Sequence, residues 1–426
     1  MLPDQTGTID ATEATFDHAT ERFAEEWREQ LAAMRGTCPV AHTDAHGGFY
    51  AVSRYADVQS ALRDYRTFSS DRDLDGGTWS SEGGATIPRN RGRLSFMEMD
   101  PPESVAFRRL VSQWFSRLAI DAYRPRLREI IGWAFDRVSD RGSTDVVTDL
   151  ANPIPAIVTM DFLGIDLREW HLYGDAIHSG ARRAPGSGQK LKVMMHEVDE
   201  LVSRTDLHQD GLIAHLLRAE IDGRPLDRDI AREIIFTLLN GGIDTTTSMI
   251  ASTVVQIDAH PDARELLRND PGAIPTTVQE LLRYCAPATG AARTVTAETE
   301  IEGVALHPGE RVLLLLSSAN FDESSFADAD RLDPCRAPNT HVSFGFGPHR
   351  CLGAELATAE LEIFVDELMA RMPDFTVDRA AVTPYPTIPL VNGYVSVPIT
   401  FSPRPPGHVA GDDVPRLTAP RLAPAR

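Results

Sequence analysis

The chain of 426 residues carries 42 Lys and Arg against 62 Asp and Glu, a net charge of −20, with only four cysteines among 42% hydrophobic residues. That acidic balance leaves no global basic field for phosphate backbones, and no basic patch with interleaved aromatics replaces it, so nucleic-acid binding is excluded. The longest aliphatic run, Val312 to Leu316, is far shorter than the roughly 20 apolar residues that cross a bilayer, and the scattered single cysteines argue against a disulfide scaffold or structural zinc site.

In chain order, the first thirty residues are acidic and lack the basic stretch and apolar core of a secretory leader, so a cytoplasmic protein is expected. A strand is expected over Gly48 to Ser53, after a Gly-Gly turn. Apolar residues at three- and four-residue spacing then predict helices over Ala56 to Arg63, Ser104 to Leu118, Leu127 to Val138, Gln189 to Val202 and Gly211 to Ala219. From Leu226 to Ala259 about 34 residues run without proline, which predicts one long helix of about 50 Å. Apolar residues occupy nearly every side of it, the mark of a buried helix. Its centre, Asn240-Gly241-Gly242-Ile243-Asp244-Thr245, is anomalous: two glycines cost roughly 2 kcal/mol against alanine in a helix interior, and a buried Asp-Thr pair adds desolvation. Further on, Glu280 and Arg283 share a helix face at i and i+3. Strands are expected over Thr294 to Ile301, Arg311 to Leu315 and Tyr394 to Phe401. The stretch Ser402 to Arg426 holds six prolines and few large apolar residues, the composition of a disordered tail. No internal linker or repeat divides residues 1 to 401, so a single, mainly α-helical domain with small peripheral sheets is the expectation.

The strongest chemical signal is the run from His341 to Ala357, HVSFGFGPHRCLGAELA. Its glycines allow a tight turn whose amides converge, and Cys351 stands at the entrance of a helix running to about Arg371. The helix dipole, the turn amides and Arg350 favour a thiolate there, suited to binding a metal or attacking an electrophile. A phosphate loop fits poorly, because no third dinucleotide glycine and no Lys-Ser/Thr follow. Cys38, Cys285 and Cys335 read instead as small buried hydrophobes.

Taken together, Gly241-Gly242-Ile243-Asp244-Thr245-Thr246, Glu280-x-x-Arg283 and Phe344-Gly-x-Gly-x-His349-x-Cys351-x-Gly353 resemble the signatures of the cytochrome P450 family, the haem-thiolate monooxygenases, in the order and spacing of soluble bacterial members. The resemblance covers about Phe49 to Phe401. It implies a triangular helical prism binding haem b (iron protoporphyrin IX), with Cys351 as the axial thiolate on iron and Phe344, Gly345 and Gly353 shaping the loop around it. It implies a groove over the iron opened by Gly241 and Gly242, and an acid–alcohol pair, Asp244 and Thr245, that delivers protons. The other reading of that pair is a hydroxyl bonded back to its helix and a carboxylate paired with a basic side chain. Arg293, Arg108 and His349 match the family's propionate ligands, although Ser104 stands where many relatives have histidine. Glu280 and Arg283 match the family's buried pair, with Arg331 in the position of its third partner.

The resemblance further implies a monomer that uses dioxygen and takes electrons from a ferredoxin and its reductase, drawn to Arg108, Arg109, Arg124, Arg126 and Arg350 on the cysteine face. By the same resemblance the substrate is expected to be a small molecule of secondary metabolism, met by the segments 70–93, 182–189, 289–292 and 388–391, among them Thr289, Ala291 and Val391. Asn240, where relatives usually place an apolar side chain, points to a polar group on that substrate unless its amide bonds to protein. Within catalysis, desaturation, oxidative coupling or peroxide-driven oxidation are alternatives to hydroxylation or epoxidation. A non-catalytic haem sensor would have no use for the glycine groove.

Overall fold

The computed structural model describes residues 16–74, 83–90, 92–204, 211–405 and 414–415. Helix α1 (Glu21–Thr37) starts where the Thr20 hydroxyl accepts the Phe23 amide at 3.1 Å, which satisfies one orphan donor of the first turn. Strands β1 (Val40–Thr43) and β2 (Phe49–Val52), helix α2 (Tyr55–Arg63) and strand β3 (Phe68–Ser69) follow. The middle of the chain is helical: α3 (Glu103–Ser112), α4 (Arg117–Asp136) and, after strand β4 (Ser143–Asp145), α5 (Pro153–Leu163), α6 (Trp170–Ala181), α7 (Ser187–Ser203) and α8 (Leu212–Leu216). A small hairpin of β5 (Glu220–Ile221) and β6 (Arg224–Pro225) leads into α9 (Arg228–Gly242), α10 (Asp244–Ala259), α11 (Pro261–Asn269) and α12 (Ile274–Cys285). Strands β7 (Ala291–Val295), β8 (Thr299–Ile301), β9 (Val304–Leu306) and β10 (Arg311–Leu314) precede α13 (Leu316–Ala319) and α14 (Ala354–Arg371). The chain then runs through β11 (Thr376–Val377), β12 (Thr383–Pro384), β13 (Tyr394–Ser396) and β14 (Pro398–Thr400).

Helix α5 is apolar except for Thr159 and Asp161 and every one of its residues is buried, so it forms the middle of the main core and packs against α4, α6, α9 and α10. Helix α10 also rests on α12 and α14, so the Asp244 segment and the helix after Cys351 belong to one packed unit. The largest sheet has the order β1-β2-β10-β7-β3, with β10 parallel to β2 and antiparallel to β7. The architecture is thus mainly α with small sheets, as expected.

Several boundaries differ from the expectation for identifiable reasons. The helix predicted over Ser104 to Leu118 ends at Ser112, and α4 begins anew after Ser116, whose side chain accepts the Ala119 amide; such a local cap competes with continuation, and periodicity does not register it. Helix α4 also starts ten residues before the predicted Leu127 and carries Pro125 inside it, held by packing on α14. The long helix is two helices: Ile243, with φ −90° and ψ −69°, separates α9 from α10. The strand predicted over Thr294 to Ile301 is split between β7 and a β8–β9 hairpin whose turn, Glu302 and Gly303, has φ values of 51° and 79°. The last predicted strand is likewise split into β13 and β14, which join different sheets. Cys285 is buried, but Cys38 is only partly so and Cys335 is exposed, which corrects the reading of all three as core residues. Of the expected tail, Arg404 is tied back by its amide to the Ser139 carbonyl and by Nη1 to the Ala370 carbonyl, both at 2.7 Å; residues 406–413 and 416–426 lie outside the described residues.

Candidate functional site

The cysteine loop is built from a buried polar anchor outward. Glu280 and Arg283, both on α12 and both without solvent exposure, form a two-pronged ion pair at 2.7 and 2.8 Å. Arg283 spends its remaining protons on the carbonyls of Asn320, Ala329 and Arg331 at 2.8, 2.9 and 3.1 Å. Asn320 in turn accepts the Val342 amide at 2.8 Å and donates to Ser343 Oγ at 2.7 Å, so the anchor fixes the chain that enters the loop. The third charged partner differs from the expected one. Arg336 Nε meets both oxygens of Glu280 at 3.1 Å, and Asn339 donates to it at 3.0 Å. Arg331 is exposed and offers only its carbonyl. A similar Asp-x-x-Arg run five residues later made the two arginines indistinguishable by sequence.

Beyond Val342 the loop closes on itself: the Gly345 amide reaches the Val342 carbonyl at 2.8 Å and the Cys351 amide reaches the Phe344 carbonyl at 2.7 Å. Gly345 and Gly347 have φ of +64° and +69°, the left-handed region that favours glycine. A Cβ on Gly347 would lie 2.5 Å from the Leu62 carbonyl on α2. Phe346 takes the Arg63 guanidinium over its ring at 4.7 Å. Cys351 keeps accessible surface, yet protein surrounds it closely. Burial pushes its thiol up, against the Gly353 amide, Arg108 and Arg350, which pull it down. The expected thiolate-favouring groups are therefore present, but burial outweighs them, and a bound metal is what would complete deprotonation.

Arg108, Arg293 and His349 converge near this loop. Arg293 is 3% exposed, donates to the Ala292 carbonyl at 2.7 Å and forms no ion pair among the described residues; burial brings it down to about 10, with Asp100 pulling it back. Burial, Arg293 and Arg108 push His349 down to about 3, so it is neutral, and its Nε2 lies 3.0 Å from Ser70 Oγ. Arg108 donates to the Arg350 carbonyl at 2.6 Å. A buried arginine with no carboxylate of its own is costly, and a cluster of such donors matches a ligand with two carboxylates. Added Cβ atoms on Gly241 and Gly353 would meet nothing within 4 Å. An accessible cysteine, an unpaired cation cluster and open space at two glycines fit a haem. Ser104 is buried and its side chain forms no bond to this cluster among the described residues; Ser70, expected at the start of a substrate-facing segment, bonds His349 instead and is itself held by Asp100, a pairing that the sequence did not signal.

Across from the loop, the two glycines of the long segment differ. Gly241 is exposed, whereas a Cβ on Gly242 would sit 2.7 Å from Thr159 Oγ1 on α5. Gly242 therefore serves close packing of two helices, a correction to its expected share in the groove. The Thr245 hydroxyl donates to the Gly241 carbonyl at 2.9 Å. Asp244, 2% exposed, accepts the Tyr385 hydroxyl at 2.8 Å and bonds His178 Nδ1 at 2.9 Å through Oδ1, while Oδ2 is buried without a partner. The hydroxyl is thus bonded back to its helix and one carboxylate oxygen is held by His178 and Tyr385, contacts of the kind the alternative reading expects, while the other oxygen is left unpartnered and able to take a proton; sequence reasoning missed His178 and Tyr385, which lie far away in the chain. The half-buried Asn240 amide has no hydrogen-bond partner among the described residues. Ala291 is partly exposed and Val391 bridges to Ala288. Thr289, 1% exposed, donates its hydroxyl to the Ile388 carbonyl at 2.7 Å, so it braces that loop rather than offering a free group. Of the segment 70–93, residues 75–82 and 91 lie outside the described residues.

Comparison with known proteins agrees with this geometry. A family model described as Cytochrome P450 matches residues 273–383. The chain is 33% identical to Cytochrome P450 130 of Mycobacterium tuberculosis, over 84% of this chain and 92% of that one. It is 34% identical to the erythromycin C-12 hydroxylase of Saccharopolyspora erythraea, over 82% and 88%. Among solved structures, a mutant of P450 EryK in complex with erythromycin B matches with a TM-score of 0.80 and 31% identity, over 92% of this chain and all of the other (100%).

Proposed function

Since the chain belongs to the cytochrome P450 family of haem-dependent monooxygenases, we propose that it inserts one atom of dioxygen, by hydroxylation or epoxidation, into a small natural-product-like molecule, with electrons from a ferredoxin and its reductase. Bound through Cys351, haem supplies the activation of dioxygen, which the electron-rich thiolate favours. The observation that carries the reading is the cluster of Arg108, Arg293 and His349 beside the cysteine loop, two guanidinium groups and an imidazole that form no ion pair with a carboxylate among the described residues. These residues would hold the propionates, and the closed loop would present Cys351. Asp244 and Thr245 would pass protons into the space beside Gly241.

The unpartnered amide of Asn240 supports a substrate with a polar group near the reacting centre, and relatives named erythromycin C-12 hydroxylase and steroid C26-monooxygenase support a natural-product-like molecule. Among the described residues no helix is long and apolar enough to cross a membrane. The decisive experiment joins two measurements on the purified protein. The carbonyl complex should show the red-shifted band of thiolate ligation, lost in Cys351→Ser. A surrogate ferredoxin system should then drive incorporation of labelled dioxygen into a metabolite found by a spin-state screen. A wild-type carbonyl complex without that band, or labelled product formed equally by Cys351→Ser, would overturn the proposal.

A further inference from the structure

The Asp244 carboxylate is held asymmetrically by residues from two other parts of the chain. Oδ1 receives the Tyr385 hydroxyl at 2.8 Å and lies 2.9 Å from His178 Nδ1, which is itself 2.9 Å from the Tyr385 oxygen. Oδ2 is equally enclosed and has no partner. All three side chains are buried, at 2, 7 and 1% exposure for Asp244, His178 and Tyr385. The tyrosine has little freedom: its amide bonds the Gly393 carbonyl at 2.9 Å, and a Cβ on Gly393 would lie 3.0 Å from its ring. Arg182, at the end of α6, faces the same phenol.

Hydrogen accounting follows from these distances. With the acid ionised, the one proton of the phenol goes to Oδ1 and His178 brings a hydrogen on Nδ1, since a bare Nδ1 would then confront two oxygens without a proton between them and either one. With two donors aimed at Oδ1, a carboxyl proton has no room there and must reside on Oδ2. An enclosed oxygen left without a donor costs about 1–3 kcal/mol, so Oδ2 is the oxygen of this carboxylate that gains by taking up a proton.

We propose that His178 and Tyr385 are positioning residues that confine the exchangeable proton of Asp244 to Oδ2. This rests on the reading of Asp244 as a proton donor. One proton moves between Oδ2 and the reacting side, no electrons pass through the three residues, and neither partner gives up its own hydrogen. Helix α6 and the loop after β12 thereby decide whether the acid on α10 is correctly aimed.

The test uses the holoenzyme with a substrate that shifts its spin state. His178→Phe and Tyr385→Phe should each lower coupled product formation about tenfold, equivalent to ~1.4 kcal/mol in barrier. More of the consumed dioxygen should end as hydrogen peroxide, with a larger solvent deuterium isotope effect and an unchanged substrate-induced spectral shift. His178→Asn, whose side-chain amide replaces the Nδ1 hydrogen, should recover coupling to within about threefold of wild type. Wild-type coupling and isotope effect in both Phe variants, with Asp244→Asn impaired, would overturn the positioning role alone. An unimpaired Asp244→Asn would instead overturn the proton-donor reading beneath it. Should a variant fail to fold, nitrogen-15 shifts of His178 in the diamagnetic ferrous carbonyl form of the wild type decide the matter: the Nδ1–H tautomer is expected, and the Nε2–H tautomer would refute the proposal.

Discussion

Arg336 and Arg331 stand five residues apart, yet only one side chain enters the buried anchor, because Glu280 faces the 333–339 turn, from which the Asp333 amide, Arg336 and Asn339 all donate to it. Removing a partner from a buried ion cluster strands charge and is expected to cost about 3 kcal/mol, whereas an exposed side chain matters by about 0.5 kcal/mol or less. Arg336→Ala should therefore lower the thermal midpoint by several degrees and reduce haem content, while Arg331→Ala should change neither; equal effects in a paired melting experiment would reverse the assignment. Arg293 poses the opposite balance. Its guanidinium is buried and pushed down to about 10, a sign that the folded protein without a bound anion disfavours the charge. Arg293→Met is expected to leave the haem-free chain as stable as wild type or more so, yet to speed haem transfer to an acceptor protein about tenfold or more. A variant that destabilises the haem-free chain and leaves transfer unchanged would count against a propionate-binding role.

At the scale of elements, the junction of α9 and α10 shows how one sequence feature divides its work. Back-bonding from Thr245 to the Gly241 carbonyl and from Thr247 to the Ile243 carbonyl, at 2.9 and 3.0 Å, competes with the regular helix ladder and accompanies the interruption at Ile243. Gly241 faces open space and Gly242 faces Thr159. Gly242→Ala should thus destabilise the protein by about 1–3 kcal/mol through overpacking, and Thr159→Ala should restore much of that loss in the double variant. Gly241→Ala should leave the melting midpoint near wild type or slightly higher, since alanine is the better helix former, while lowering turnover. The prediction fails if the two single variants melt alike.

Over the whole molecule, charge placement revises the expected docking face. Arg124 is paired with Glu362 at 2.6 Å, and Arg126 with Asp161 at 2.9 Å and Glu129 at 2.7 Å, so neither offers free charge to an acidic donor. Arg109 and Arg350 are exposed without an ion pair among the described residues. Arg109→Glu should slow reduction by an acidic ferredoxin with a reduced salt dependence, and Arg124→Gln should not; stopped-flow rates at two ionic strengths check this. Glu360 on α14 adds a pH-dependent contribution to stability. It is 2% exposed with Oε1 unpartnered, and burial raises it from 4.5 to about 8. The folded state holds this proton more tightly than the unfolded one, so the contribution is complete below about pH 4.5, declines as pH rises toward 8 and is flat above. Glu360→Gln should flatten that segment of the stability curve by an amount on the order of a few kcal/mol; an unaltered pH slope in denaturant titrations would contradict it.

The sequence by itself determined the helical architecture, the cysteine loop and the Glu280–Arg283 pair, because each is written in neighbours along the chain: apolar spacing, glycines at a turn, charges at i and i+3. It also located Gly241, Asp244 and Thr245 as anomalies in an otherwise apolar helix. What those groups touch was decided only in three dimensions. Thr159 against Gly242, His178 and Tyr385 on Asp244, Ser70 beside His349 and Arg336 rather than Arg331 on Glu280 all join distant segments, and no local pattern ranks one such partner above another. The interruption at Ile243 has the same origin, since a helix ladder yields to side-chain bonds and close packing only when the neighbouring helix is in place.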